Sequence, residues 1–297
     1  NFSGELGDGT TTNRSTPVQV SGLTGVIQVD GGNESAYALK SDGTVWAWGN
    51  NGSGRLGDGT TTSTSTPVQV SGLTGVIQVD GGGMSAYALK SDGTVWAWGY
   101  NGQGQLGDGT TTQRNTPVQV SGLTGVTQVD GGTYSAYARK SDGTVWAWGS
   151  NGNGQLGDGT TTDRLTPVQV SGLTGVIQVA RGNAFASALK SDGTVWAWGY
   201  NFNGQLGDGT TTDRLTPIQV REISSFAAGS AVFGTPGVFT GAVLDLATTT
   251  LLSTITFNAT LNSQTITLDI RAGDIATPDG SWTTWLTGLS SGADISS

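Results

Sequence analysis

Val95-Trp96-Ala97-Trp98-Gly99-Tyr100-Asn101-Gly102-Gln103-Gly104-Gln105-Leu106-Gly107-Asp108-Gly109 begins as a strand and ends as a glycine-rich loop, and the string returns at 45–59, 145–159 and 195–209 with few changes. Self-comparison at a spacing of 50 aligns the segments starting at Gly25, Gly75, Gly125 and Gly175 without insertion or deletion, the signature of a repeat architecture. Strand alternation places Trp96 and Trp98 on one face and Val95 and Ala97 on the other. The Trp pairs at 46/48, 146/148 and 196/198 repeat this, so a row of aromatic surfaces is expected between successive units. Stacking on carbohydrate is the alternative use of those rings, and packing explains them more simply.

Four strand signals fall in each unit: in the first, Val26 to Val29, Ser35 to Lys40, Thr44 to Gly49 and Thr66 to Val70. Ser41-Asp42-Gly43 is a tight hairpin turn in which Gly supplies positive φ. Ser71 to Gly75 carries the outer strand back to the next inner strand, and Asn50 to Ser65 is a long Gly-rich connection between the third and fourth strands. Four strands per repeat make a propeller blade. The expected blades cover about 25–70, 75–120, 125–170 and 175–220, with an orphan outer strand at Thr16 to Val20.

The 95–109 string, preceded by Val79-Asp80-Gly81-Gly82 and Ala88 to Gly93 and followed by Thr116-Pro117-Val118, resembles the RCC1-like repeat, and the resemblance covers residues 1–220. It implies a β-propeller that typically closes with seven blades, of which this chain supplies four. Secreted bacterial members, including protein inhibitors of β-lactamase, use the ring to bind proteins. A His that commonly precedes the second strand in the family is replaced by Ser35, Ser85, Ser135 and Phe185, so the resemblance speaks for fold rather than activity. The features behind the namesake's nucleotide exchange are not identifiable in these residues.

The chain has no Cys and no His, 12% charged residues and a net charge of −9. Residues 1–220 hold 11 basic and 16 acidic side chains, leaving −5, and residues 221–297 hold 2 and 6, leaving −4. Neither part offers a basic stripe for nucleic acid, and no apolar run reaches the length of a membrane span. Asn1 to Thr12 match Asn51 to Thr62, so the chain reads as beginning within a repeat. Without His or Cys no activated nucleophile stands out, so no catalytic residues and no cofactor are expected. The Asp-Gly pairs invite a calcium reading, but each offers a single carboxylate without metal-loop spacing, so turn geometry accounts for them and no metal site is expected.

Differences between the repeats are not scattered. The turns Ser-Asp-Gly-Thr and Ser-Gly-Leu-Thr-Gly are identical in all four units. Variation gathers in the first-to-second connection, at Asn33 and Glu34, Gly83 and Met84, Thr133 and Tyr134, and Asn183, Ala184 and Phe185. It gathers also in the third-to-fourth connection, at Asn50, Tyr100, Ser150 and Tyr200, at Ser53, Gln103, Asn153 and Asn203, and at 63–65 and its equivalents. In an up-and-down blade these connections share one end of the strands. Loop drift would explain variation alone, but the opposite, equally exposed face does not vary, and the changes introduce aromatic types favoured in binding surfaces. Outside this pattern stand Thr127 for Ile27, Arg139 for Leu39, and Ala180-Arg181 for Asp30-Gly31.

After Val220 the register is lost. Residues 221–236 read as a linker and 237–297 as a partial β-sandwich, with strands expected at Phe239 to Asp245, Thr254 to Ala259, Gln264 to Arg271 and Ala276 to Trp285. The run from Ile270 to Trp285 resembles jelly-roll accessory modules of secreted bacterial and archaeal proteins. The expectation is an all-β chain: a section of an RCC1-like propeller followed by a partial sandwich. Its expected function is a secreted or cell-surface module binding a protein or glycan through the variable face. The alternative is a self-associating structural repeat of a surface fibre or layer.

Overall fold

In a computed structural model, residues 1–220, 255–261 and 264–270 are described. The chain divides into two compact units, Asn1–Glu222 and Ile223–Ser297. The first contains four sheets of four antiparallel strands in sequential order. Blade 1 is β1 (Val26–Gly31), β2 (Ser35–Lys40), β3 (Val45–Gly49) and β4 (Thr64–Gln69). Blade 2 is β5 (Val76–Gly81), β6 (Ser85–Lys90), β7 (Val95–Gly99) and β8 (Arg114–Gln119). Blade 3 is β9 (Val126–Gly131), β10 (Ser135–Lys140), β11 (Val145–Gly149) and β12 (Arg164–Gln169). Blade 4 is β13 (Val176–Arg181), β14 (Phe185–Lys190), β15 (Val195–Gly199) and β16 (Arg214–Gln219). No helix occurs among the described residues, so none there is long and apolar enough to cross a membrane.

Several boundaries differ from the sequence reading: the first strand runs on to Gly31 rather than stopping at Val29, the third starts at Val45 rather than Thr44, and the fourth ends at Gln69 rather than Val70. The outer strand starts at Thr64 rather than Thr66, because a bulge after Ala47 lets Gly49, at φ 99°, pair with Thr64. Residues 16–20 form no strand; a fourth strand of this kind needs a third strand to pair with, and none lies beside it among the described residues. In the second unit, β17 (Ile255–Leu261) and β18 (Gln264–Ile270) pair antiparallel in unbroken register. They correspond to two of the expected strands. The linker, the other two strands and the jelly-roll resemblance fall outside the described residues.

Successive blades are joined by one buried device repeated three times. Trp98 Nε1 of blade 2 and the Tyr37 hydroxyl of blade 1 both donate to the carbonyl of Arg55, at 2.8 and 2.9 Å. Their rings meet edge to face at 6.3 Å. Tyr87 and Trp148 share the Gln105 carbonyl, and Tyr137 and Trp198 share that of Gln155. All six rings are buried. A Cβ at Gly57 would lie 2.8 Å from the Trp98 indole, so this glycine, at φ 65°, admits both the ring and the turn.

Around each pair the Val/Ala face of one blade closes on the Trp face of the next: Leu39, Val45 and Ala47 pack with Ala86, Ala88, Trp96 and Trp98 in one cluster. The half-buried Trp at 46, 96, 146 and 196 are each covered by a Lys about one ring-width above, at 5.8 Å for Lys40 over Trp46. Packing therefore occupies the tryptophans. The blades are also stitched at their inner strands. Gln28 Nε2 donates to the Val79 carbonyl and its Oε1 accepts from Val79 N–H, mimicking a strand partner; Gln78 and Gln128 do the same to Val129 and Val179.

Truncating Trp148 to Ala is expected to cost about 3–5 kcal/mol in urea unfolding and Tyr87→Phe about 1 kcal/mol. Equal, negligible effects would mean the blades are held by something else.

Candidate functional site

The long third-to-fourth connection is built on a buried asparagine. Asn101 Nδ2 donates to the carbonyls of Thr110 and Thr112 and to Asp108 Oδ1, while its Oδ1 accepts from Leu106 N–H at 2.9 Å. Asn51, Asn151 and Asn201 repeat the arrangement, and all four are fully buried. The loop aspartates are taken up by the same framework. Asp108 accepts from Thr110 N–H and hydroxyl and forms an ion pair with Arg114 at 2.7 Å. Although burial opposes ionisation, the Thr110 and Arg114 contacts hold the Asp108 carboxyl below its usual range. Asp208, in the same setting, is drawn down to about 2.

On this frame the two variable connections of each blade touch. Asn50, Tyr100, Ser150 and Tyr200 donate their backbone N–H to the carbonyls of Glu34, Met84, Tyr134 and Ala184, at 2.7–2.9 Å. All four pairs of candidate positions are thus brought together at one end of the strands. Glu34 and Ala184 have positive φ, 62° and 61°, a conformation that costs a non-glycine residue energy. Asn33 N–H donates to the Gly83 carbonyl of the next blade, so the face is continuous between blades.

Side chains separate the candidates further. Tyr134 is 41% exposed, while Met84, Tyr100, Thr133, Ser150, Ala184 and Tyr200 are half-buried and Asn33, Glu34 and Asn183 are exposed. Two sequence candidates have other roles. Gly83 is a close-approach residue, since a Cβ there would lie 2.8 Å from Thr133. Phe185 is the first residue of β14, so strand alternation turns it with Ser187 toward the blade's packing face, where its ring lies over Gly182. In blades 1 and 2 that slot, where the resemblance leads one to expect His, holds Ser35 and Ser85, each 3.1–3.2 Å from a Tyr hydroxyl.

Three further residues build the face: Phe202, which sequence reasoning missed, and Leu165 and Leu215, which lie in the variable stretch equivalent to 63–65 without having been singled out as binding residues. Phe202, 70% exposed, replaces the Gly at 52, 102 and 152 and stacks on Tyr200 at 6.4 Å. Leu165 and Leu215, 37% and 38% exposed, lie over Gly104 and Gly154 of the preceding blade, where Ser65 and Asn115 stand earlier in the chain. A same-register comparison of position 52 across the repeats would have found Phe202. Within blades 1 to 4 the apolar character of the face rises along the chain, while Phe2, 93% exposed, holds the same loop position ahead of blade 1.

The innermost strands carry a separate electrostatic feature. Asp30 and Asp80 accept from the N–H of Gly81 and Gly131 one blade on, and Arg181 Nε pairs with Asp130 at 2.8 Å while its Nη2 lies 4.0 Å from Asp80. Arg181 thus balances carboxylates of the two preceding blades, which accounts for one of the changes outside the variable face. Nothing in the structure explains Arg139, whose Nε is buried without a partner. Burial, with repulsion from Asp130, pushes the Asp80 carboxyl up to about 7.

The geometry defines an arc of a repeat β-propeller with one variable, apolar loop face. The chain belongs to the RCC1-like domain family, whose model matches residues 1–234. Among solved structures it is similar to human WBSCR16, at 27% identity and TM-score 0.65, covering 75% of this chain and 61% of that one. It is similar also to yeast RCC1 (Prp20) in complex with Kap60, at 20% identity and TM-score 0.61, covering 67% and 49%. Saccharomyces cerevisiae Prp20p alone gives 20% identity and TM-score 0.64, covering 71% and 54%. The chain spans less than two thirds of the length of each. No curated protein matches it.

Two outcomes are expected. Asn101→Ala should lower stability by about 1–3 kcal/mol in denaturant unfolding, because it leaves the buried Leu106 N–H without its acceptor. Asp80 is uncharged in both states below about pH 4 and its ionisation is resisted in the fold, so its contribution to stability is lost as the pH rises from about 4 to about 7. The melting temperature of Asp80→Asn should accordingly gain on the wild type across that interval and run parallel to it above.

Proposed function

We propose that this chain is a recognition module that binds a protein partner through its variable loop face, chiefly over blades 2 to 4. One observation carries the reading: repeats otherwise nearly identical differ where two connections meet, and the differences there become Tyr134, Leu165, Phe202 and Leu215, large apolar side chains left 37–70% exposed. Exposed aromatic and aliphatic groups on a rigid frame are what a protein interface uses as anchors. The frame is rigid for a stated reason, the buried Asn that closes each loop. Yeast Prp20, a relative by fold, has been solved bound to Kap60 and studied for its binding to Gsp1p and histones, which favours protein over glycan as the partner class. We place the module outside the cell or on its surface, on the strength of a weakly charged, Gly-rich composition.

The test compares partners captured by the full chain with those captured by a variant carrying Tyr134→Ser, Leu165→Ser, Phe202→Ser and Leu215→Ser. A control carries Thr94→Ser and Thr144→Ser in the turns of the opposite face. Loss of affinity by about 100-fold or more is expected for the first, two anchor residues of about 2 kcal/mol each sufficing, and none for the second. A partner retained equally by both variants would refute the assignment.

A further inference from the structure

The variable stretch at 63–65 changes in step across the repeats. Ser63 and Ser65 in blade 1 and Gln113 and Asn115 in blade 2 become Asp163 and Leu165 in blade 3 and Asp213 and Leu215 in blade 4, so the carboxylate and the leucine enter together. The arginine between them, Arg164 or Arg214, is spent on Asp158 or Asp208. Each aspartate gives one oxygen to its own loop: Asp163 Oδ1 accepts from Asn151 N–H and Asp213 Oδ1 from Asn201 N–H, both at 2.7 Å. Leu215 lies over Gly154, and Asp213 Oδ2 is 3.3 Å from Nδ2 of the adjacent Asn153, which puts leucine and carboxylate side by side on the loop of the preceding blade. Leu165 lies over Gly104 in the same manner, and Asp163 is exposed beside it in sequence. Both pairs sit between blades that are described in full.

The charge around these pairs has one sign. In residues 1–220 the acidic side chains without an ion pair among the described residues are Asp30, Glu34, Asp58, Asp163 and Asp213. All five lie in or beside the connections of the variable end. The carboxylates of the opposite end, Asp42, Asp92, Asp142 and Asp192, are each answered by a Lys. Arg55, a cation of the variable end with no carboxylate partner among the described residues, is buried and donates Nη1 to the Asn33 carbonyl.

We infer that the segment taken by the variable face is cationic, with Arg or Lys side chains laid along Leu165 and Leu215 and their heads directed to Asp163 and Asp213. This rests on the reading of that face as a protein-binding surface and names the chemistry it selects. A long cationic side chain has an apolar stem and a charged head, and an exposed leucine beside a carboxylate that lacks a cation matches both parts. An uncharged segment would cover the two carboxylates without replacing their water, which costs energy. An acidic segment would meet like charge along the whole rim. Because the pair recurs in neighbouring blades, a segment carrying two such side chains gains from both.

The experiment measures fluorescence anisotropy of short labelled peptides repeating Gly-Ser-Arg, Gly-Ser-Met and Gly-Ser-Glu against the full 297-residue chain. The Met peptide carries an apolar stem without the charge. The Arg peptide is expected to bind at least about tenfold more tightly than the Met peptide, and the Glu peptide not to bind measurably. Asp163→Asn with Asp213→Asn, which keeps an acceptor for the loop N–H groups, should remove that advantage. Asp30→Asn with Asp58→Asn, which removes the same charge elsewhere at this end, should leave most of it. Leu165→Ser with Leu215→Ser should weaken the Arg and Met peptides alike. Equal affinity for the Arg and Met peptides, or no measurable binding of the Arg peptide, would overturn the cationic partner and leave the capture experiment above to decide whether the face binds protein. Equal losses from the two charge-removing variants would overturn the assignment to Asp163 and Asp213, since the attraction would then belong to the acidic end at large.

Discussion

A single backbone carbonyl that receives both an indole N–H and a phenol O–H holds this fold together. At Arg55, Gln105 and Gln155 the acceptor lies in the glycine-rich loop of one blade, the Tyr comes from the second strand of that blade, and the Trp comes from the third strand of the next. Burying both rings supplies the hydrophobic gain, and sharing the carbonyl ensures that neither polar tip is buried unpaired. Because one knot ties a loop, its own sheet and the neighbouring sheet, loop conformation and blade spacing are set together. Burial pushes the Tyr37 hydroxyl up to about 12, so it remains a donor through the ordinary pH range.

That coupling is what makes a variable face affordable. With the loop closed from below by the knot and from within by Asn51, Asn101, Asn151 or Asn201, residues at its rim carry little of the stability and are free to differ. The opposite end has no comparable slack. There Asp42 and its equivalents accept from the Thr N–H and hydroxyl two residues on, and Lys40, Lys90, Lys140 and Lys190 lie between those carboxylates and a Trp ring. The identical turns are therefore parts of the Trp packing, which gives their sameness a physical cause beyond turn geometry.

Blade 4 departs from the others in two directions at once. On its upstream side Arg181 reaches back to Asp130 and toward Asp80, putting one cation among carboxylates contributed by successive inner strands. On its downstream side the Asp and Tyr that grip a successor are gone. Arg181 and Ala180 are neighbours on β13, where successive side chains face opposite ways, so a one-residue step in sequence separates a residue that strengthens the arc from one that lacks the grip.

The 50-residue period, the four strands per unit and the two ends of each blade were determined by the sequence alone. Alternation and turn chemistry are local properties, and exact repetition gives every unit the same neighbours. The second strand was legible to its boundaries, Ser35–Lys40, whereas the outer strand was not, because a bulge opposite Gly49 is a matter of pairing between distant residues. Among the candidate site residues the meeting of the two variable connections was legible. The roles of Gly83 and Phe185 were not, since one depends on contact with Thr133 a blade away and the other on which face of β14 looks toward the next blade. Phe202 became part of the site, and Leu165 and Leu215 stood out within a stretch already marked as variable, only when packing between blades showed which rim residues stay exposed. Exposure and blade-to-blade contact are properties of the assembled arc, and only the tertiary structure could decide them.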